Sequence, residues 1–158
     1  MNDDHVCNIA AAVQSVLEQV DGLAKVDFEA FDVQNPPEDY QANIQLLHDT
    51  NSPLEGATEY DGFDEPRKLP AVDLLERGIM IDLVKRGTNW FGIQNLAARC
   101  YSALAQSEEV HALVDSWAYD GSIPSHSDPE ATPFVSVALV FVFKYSTEAG
   151  VPGRRIHS

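Results

Sequence analysis

The sequence predicts an α+β fold: a mixed, mostly antiparallel sheet packed against two main helices and completed by a long C-terminal strand. Three observations predict it. Residues 6–20 and 93–104 each carry apolar side chains at helical spacing, whereas residues 132–146, TPFVSVALVFVFKYS, alternate with a period of two. In that last stretch Val135, Val137, Leu139, Phe141, Phe143 and Tyr145 make one continuous apolar face. The opposite face is apolar only in its middle, at Ala138, Val140 and Val142. The length, 158 residues, fits one domain over 1–147 and a flexible tail over 148–158.

The elements follow in order. Val6, Ile9, Ala10, Val13, Val16, Leu17 and Val20 form the stripe of a first helix, capped by Asp3 or Asp4 and stopped by Gly22. AKVDFEAFDV then alternates Val26, Phe28 and Ala30 with charged residues, as a half-exposed strand does. Asn35-Pro36-Pro37 ends it. Residues 36–69 hold turn signals at Asn51-Ser52-Pro53, Asp61-Gly62 and Glu65-Pro66, and read as a long acidic loop or insertion with a short strand near NIQLL. AVDLLERGIMIDLVKRG reads as two strands, 71–76 and 79–86, turning near Arg77-Gly78. Thr88 or Asn89 caps the second helix, whose inner face is Ile93, Leu96, Ala97, Cys100 and Leu104. Ser107 caps a short turn, a strand covers about 115–123, and the polar loop SHSDPEAT leads into the final strand.

Composition narrows the function. Hydrophobic residues at 44% and charged residues at 22% describe a globular chain, while the formal charge of −15 disfavours direct binding to nucleic acid or to an anionic membrane. The charge is uneven. Lys25 is the only lysine or arginine before Arg67, and the acids of this first part favour head-to-tail contact with the more balanced second part, or simply keep exposed loops soluble. Cys7 and Cys100 lack paired spacing and MNDDHVC lacks the regions of a signal peptide, so reduced thiols and cytosolic synthesis are expected. The longest apolar run, Val137 to Phe143, is far short of the roughly 20 residues of a membrane-spanning helix.

No pattern of catalytic chemistry is present. The five histidines form no HExxH or paired Cys/His motif, and His5 with Cys7 fits a helix start better than a metal pair. Ser125-His126-Ser127-Asp128 has the residue types of a hydrolase, but neighbours in one loop seldom reach triad geometry. EGATEYDGFDE lacks the ligand spacing of a calcium loop, and no phosphate-binding glycine motif occurs. The reading is therefore of a non-enzyme with no catalytic, cofactor-binding or metal-binding residue.

The final strand points elsewhere. Extended, it would run roughly 45 Å, against about 5–6 residues for an ordinary strand, and so long an apolar ribbon suggests cover by neighbouring copies. A rotation that closes would make a ring of them. Lys85, Arg86, Trp90, Phe91, Phe141, Phe143 and Tyr145 are the candidate contact residues, although Trp90 and Phe91 also suit a helix start packed on its own core.

The order of elements resembles the tail-terminator and minor tail proteins of long-tailed bacteriophages, of the lambda type. The resemblance rests on the amphipathic first helix, on the strand start LPAVDLL, on IMIDLVKRGTNWFGIQNLAARCYSAL and on a last strand ending Phe-Lys-Tyr-Ser. It covers about two-thirds of the chain, with 36–69 and the residues after 147 departing from it. It implies a structural virion protein, made in the host cytoplasm, that forms a homohexameric ring at the head-proximal end of the tail tube. Such a ring ends tube polymerisation and joins tail to head. Its partners would be itself, the major tail tube protein and head–tail connector or neck proteins, with DNA passing through the lumen unbound and no membrane. A connector role in the same particle, an acidic inhibitor that mimics nucleic acid, and a small enzyme without a familiar motif stand as alternatives.

Overall fold

The structure, a computed structural model, describes residues 4–54, 58–59, 67–68, 72–128 and 131–156. Helix α1 (Val6–Leu17) is followed by the short strand β1 (Lys25–Asp27) and the long strand β2 (Gln41–Leu54). Two-residue strands β3 (Thr58–Glu59) and β4 (Arg67–Lys68) pair with each other, before β5 (Val72–Arg86). Helix α2 (Trp90–Ala105), the single turn α3 (Glu108–His111), β6 (Ser116–His126), β7 (Phe134–Glu148) and β8 (Val151–Ile156) complete the chain. The main sheet runs β1-β2-β5-β7-β6, with β8 beside the end of β7. Only β1 and β2 are parallel, so the sheet is mixed and mostly antiparallel, as predicted.

The period-two pattern of β7 sets the core. Register places Leu83, Ile81, Ile79 and Leu75 of β5 opposite Val137, Leu139, Phe141 and Tyr145 of β7, all on one face. Ile9, Val13 and Leu17 of α1 and Ile93, Leu96, Cys100 and Leu104 of α2 bury against that face. Each such aliphatic side chain stabilises the fold by about 1.5–3 kcal/mol on leaving water. The caps are local. Asn89 accepts from the Gly92 N–H at 3.0 Å and Ser107 from the Val110 N–H at 3.2 Å, while the Asp4 carboxylate accepts from the Val6 N–H at 2.9 Å. Gly22, at φ +96°, turns the chain after α1 in a conformation that side-chain-bearing residues seldom adopt.

Four expectations are corrected. Within 36–69, residues 41–54 form β2, the full-length neighbour of β5, where a loop with one short strand was expected; the acidic stretch 55–65 lies mostly outside the described residues. Residues 72–86 form one strand, not two. Gly78 does not turn: it pairs with His48 on β2 and Val142 on β7, and the His48 ring lies over it, so a Cβ there would require that ring to move. The strand after Gly22 is shorter than its alternation suggested, ending at Asp27. Residues 148–156 are not a free tail, because β8 pairs with Ser146–Glu148, Arg154 binds Glu148 at 2.8 Å and Arg155 binds Asp115 at 2.9 Å.

The fourth long strand, β7, is interior. β5 pairs with it over its whole length, and β6 and β8 share its other edge. Every residue from Phe134 to Phe141 is buried, on both faces. Phe31 packs edge-on against Phe134 at 5.2 Å between ring centroids, covering one end of the face away from the helices. The chain thus shelters its own apolar ribbon, and strand length gives no reason to invoke sister molecules.

Candidate assembly surface

Of the seven candidate contact residues, the structure brings three inside. Phe141, Phe143 and Tyr145 belong to the helix-covered core and are withdrawn as contact residues, because a side chain enclosed by its own chain has no surface to offer. Trp90 is half-buried and packs against the same core. Lys85 lies over the Tyr40 ring, its Nζ 5.2 Å from the centroid. Arg86 is a clamp on the preceding loop: its Nη2 donates to the Pro36 carbonyl and to Asn35 Oδ1, both at 2.8 Å, and its backbone N–H donates to the Pro37 carbonyl. Phe91 alone stands out from the fold, at 84% exposure.

A polar cluster that the sequence reading missed lies beneath the start of α1. Arg77, in mid-strand, is only 2% exposed. Its Nη2 pairs with Asp4 Oδ2 at 3.2 Å and its Nη1 donates to Asn51 Oδ1 at 2.9 Å. The Tyr145 hydroxyl donates to Asp4 Oδ1 at 3.0 Å, and burial together with the Asp4 charge pushes that phenol well above its usual range. His5 packs edge-on against Tyr145 and uses both ring nitrogens locally, Nε2 donating to the Leu113 carbonyl at 2.7 Å and Nδ1 accepting from Asn8. Cys7, by contrast, is exposed, so His5 and Cys7 do not converge. The available signal was an arginine amid alternating aliphatics, ERGIMID, where a buried counter-ion is needed.

On the opposite face, Asp82 lies between its register partners Asn43 and Ala138. Burial raises its carboxyl from 3.8 to about 6. Farther along the same face, Glu76 stands 3.8 Å from His48 and 4.0 Å from Lys144. Ser127 of the SHSDPEAT loop accepts from the Phe134 N–H at 3.2 Å, a strand-entry contact.

Other exposed large apolar side chains, among them Val33, Leu74 and Ile123, are scattered, but Phe28, Leu46 and Leu47 lie together at one sheet edge. β1 pairs only with Gln41–Asn43, so beyond Asn43 the outer edge of β2 has no strand partner among the described residues. Leu46 is 53% and Leu47 49% exposed at a bulge between Leu46 and His48. Beside them a groove of about 320 Å³ runs between this edge and α1, lined by Val6, Cys7, Phe28, Ile44, Leu46 and Ile79.

Among the described residues no cluster of three or more His, Cys, Asp or Glu side chains could hold a metal ion. No described helix is long and apolar enough to cross a membrane. The chain matches no protein-family model and none of the curated proteins.

Proposed function

We propose that this chain is a structural subunit that assembles with copies of itself into a homohexameric ring at the head-proximal end of a phage tail tube. There it ends tube polymerisation and offers the surface that joins tail to head, in contact with the major tail tube protein and connector or neck proteins. The observation that carries the reading is Phe91. It projects from the start of α2, within the segment KRGTNWFGIQ on which the resemblance to tail terminators rests, and the core closes without it. An aromatic side chain left in water by a self-sufficient fold suits a contact between proteins. The −15 charge suits a lumen through which DNA passes without sticking.

That same charge favours a second reading, an acidic protein occupying the nucleic-acid site of a basic partner. Negative-stain microscopy and light scattering separate the two, with the protein alone and with tail tubes lacking a terminator. The ring reading expects closed rings or capped tubes with the native chain, and neither with Phe91→Asp, which should keep its unfolding midpoint. Rings or capped tubes that persist in Phe91→Asp would overturn the assigned contact. A native protein that neither closes nor caps tubes, and instead binds a basic partner with steep salt dependence, would overturn the ring.

A further inference from the structure

We propose that the open edge of β2 docks an extended, basic segment of another protein, which joins the sheet as an added strand from Ile44 onward and seats one apolar side chain in the groove beside α1. The inference goes beyond the ring reading and does not depend on it. Three features converge on this edge. First, β5 holds β2 extended through Leu54, so on either side of the bulge at Leu46/His48 its backbone groups face outward where β1 stops, with no strand partner among the described residues. A segment added there lies in line with β1 and gains main-chain hydrogen bonds at small ordering cost to the host. Second, the groove opens alongside, with Phe28 and Leu46 of its lining exposed and Leu47 exposed next in the chain.

Third, the surroundings select charge. Glu29, two residues past β1, and Asp49, on β2, are both exposed, and Lys25 is the only lysine or arginine from Asp4 to Asn51. Lys25 is already paired with Asp27 at 3.3 Å. The Phe28 backbone N–H and Lys25 hold the Asp27 carboxyl below its usual range, so it stays ionised. A second copy presenting this same edge would bring acid against acid, whereas lysine or arginine on the incoming strand meets complementary charge. The bulge at Leu46/His48 interrupts the regular ladder and disfavours indiscriminate edge pairing.

Cys7 is a native reporter, because it lines the groove and is exposed. Cys100, the other cysteine, is buried and its thiol is pushed up to about 12. The probe is a short acetylated peptide alternating lysine and valine with one central leucine. Saturating peptide should slow alkylation of Cys7 by about tenfold, and added salt should weaken the protection. The same peptide N-methylated at alternate residues, which removes one row of donors while keeping charge and apolar area, should not protect. Nor should the glutamate-for-lysine peptide. In Glu29→Lys with Asp49→Lys, both exposed positions, the lysine peptide should lose its advantage over the glutamate peptide. Equal protection by the N-methylated peptide, or none by the parent, overturns strand addition. Protection that grows with protein concentration alone assigns the edge to a second copy and overturns the proposal too.

Discussion

Strands β7 and β2 lie one strand apart in the same sheet and in opposite circumstances. β7 is the most apolar segment of the chain, with a partner along each edge and, from Phe134 to Phe141, no residue left exposed. β2 is polar by composition, QANIQLLHDTN, and among the described residues it alone of the two has an edge without a strand partner, with large apolar side chains in water. The difference teaches that a dense apolar pattern marks what a chain will cover by itself. Surface available to other molecules lies where a few apolar residues occur among polar ones, because the fold gains too little there to enclose them.

Substitutions can break that contrast or sharpen it. The largest effect is expected at Phe141→Ala, which opens a cavity under α2 and should cost about 3–5 kcal/mol in urea unfolding, whereas Leu46→Ala should stay within about 0.5 kcal/mol. Equal losses would mean that β2 is as interior as β7. Next comes Asp82. Its folded value near 6 lies above the 3.8 of the free side chain, so the folded chain holds a proton that the unfolded chain releases. Stability from this group is complete below about pH 4 and declines as pH rises through about 6, by about 3 kcal/mol at about 1.4 kcal/mol per pH unit. Asp82→Asn should flatten that decline and make the variant more stable than the native chain at pH 8; parallel stability–pH curves would show Asp82 to be solvated. The smallest of the three is Asp4→Ala. It leaves the Arg77 guanidinium without its carboxylate, but Asn51 still accepts from it and Asp4 is itself partly exposed, so the expected loss is about 2 kcal/mol, measured at low and high salt. A loss that salt abolishes would place the pair at the surface.

How much of this was legible depends on where each segment gets its state. α1, α2 and β7 carry their periodicity in their own residues, so local reading suffices. β2 does not: of its residues 41–51 only Ala42, Asn43 and Ile44 are buried, and pairing with β5, beyond the intervening β3–β4 segment, makes it a strand. β8, written VPGRRI, likewise looks like tail until Glu148 and Asp115 bind its arginines. Arg77-Gly78 has the composition of a turn, and pairing with Asp49 and His48 of β2 and with Phe143 and Val142 of β7 makes it mid-strand. For the contact surface, one signal could have been used. Trp90 shares the helical stripe of Ile93 and Ala97, whereas Phe91 falls in line with the exposed Gln94 and Asn95. The open edge had no such mark, because pairing partners are not written in a strand's own sequence.

The His5 N–H donates to the Pro152 carbonyl at 3.0 Å, which ties the segment before α1 to β8 at one corner. A brief linker between them would close the chain into a circle with little rearrangement, and a new opening at the glycine turn after β5 would reorder the elements without moving them. Labels placed at the start of α1 and on β8 therefore sit beside each other, and having both at one corner leaves room to choose which other side of the molecule meets a surface or a probe.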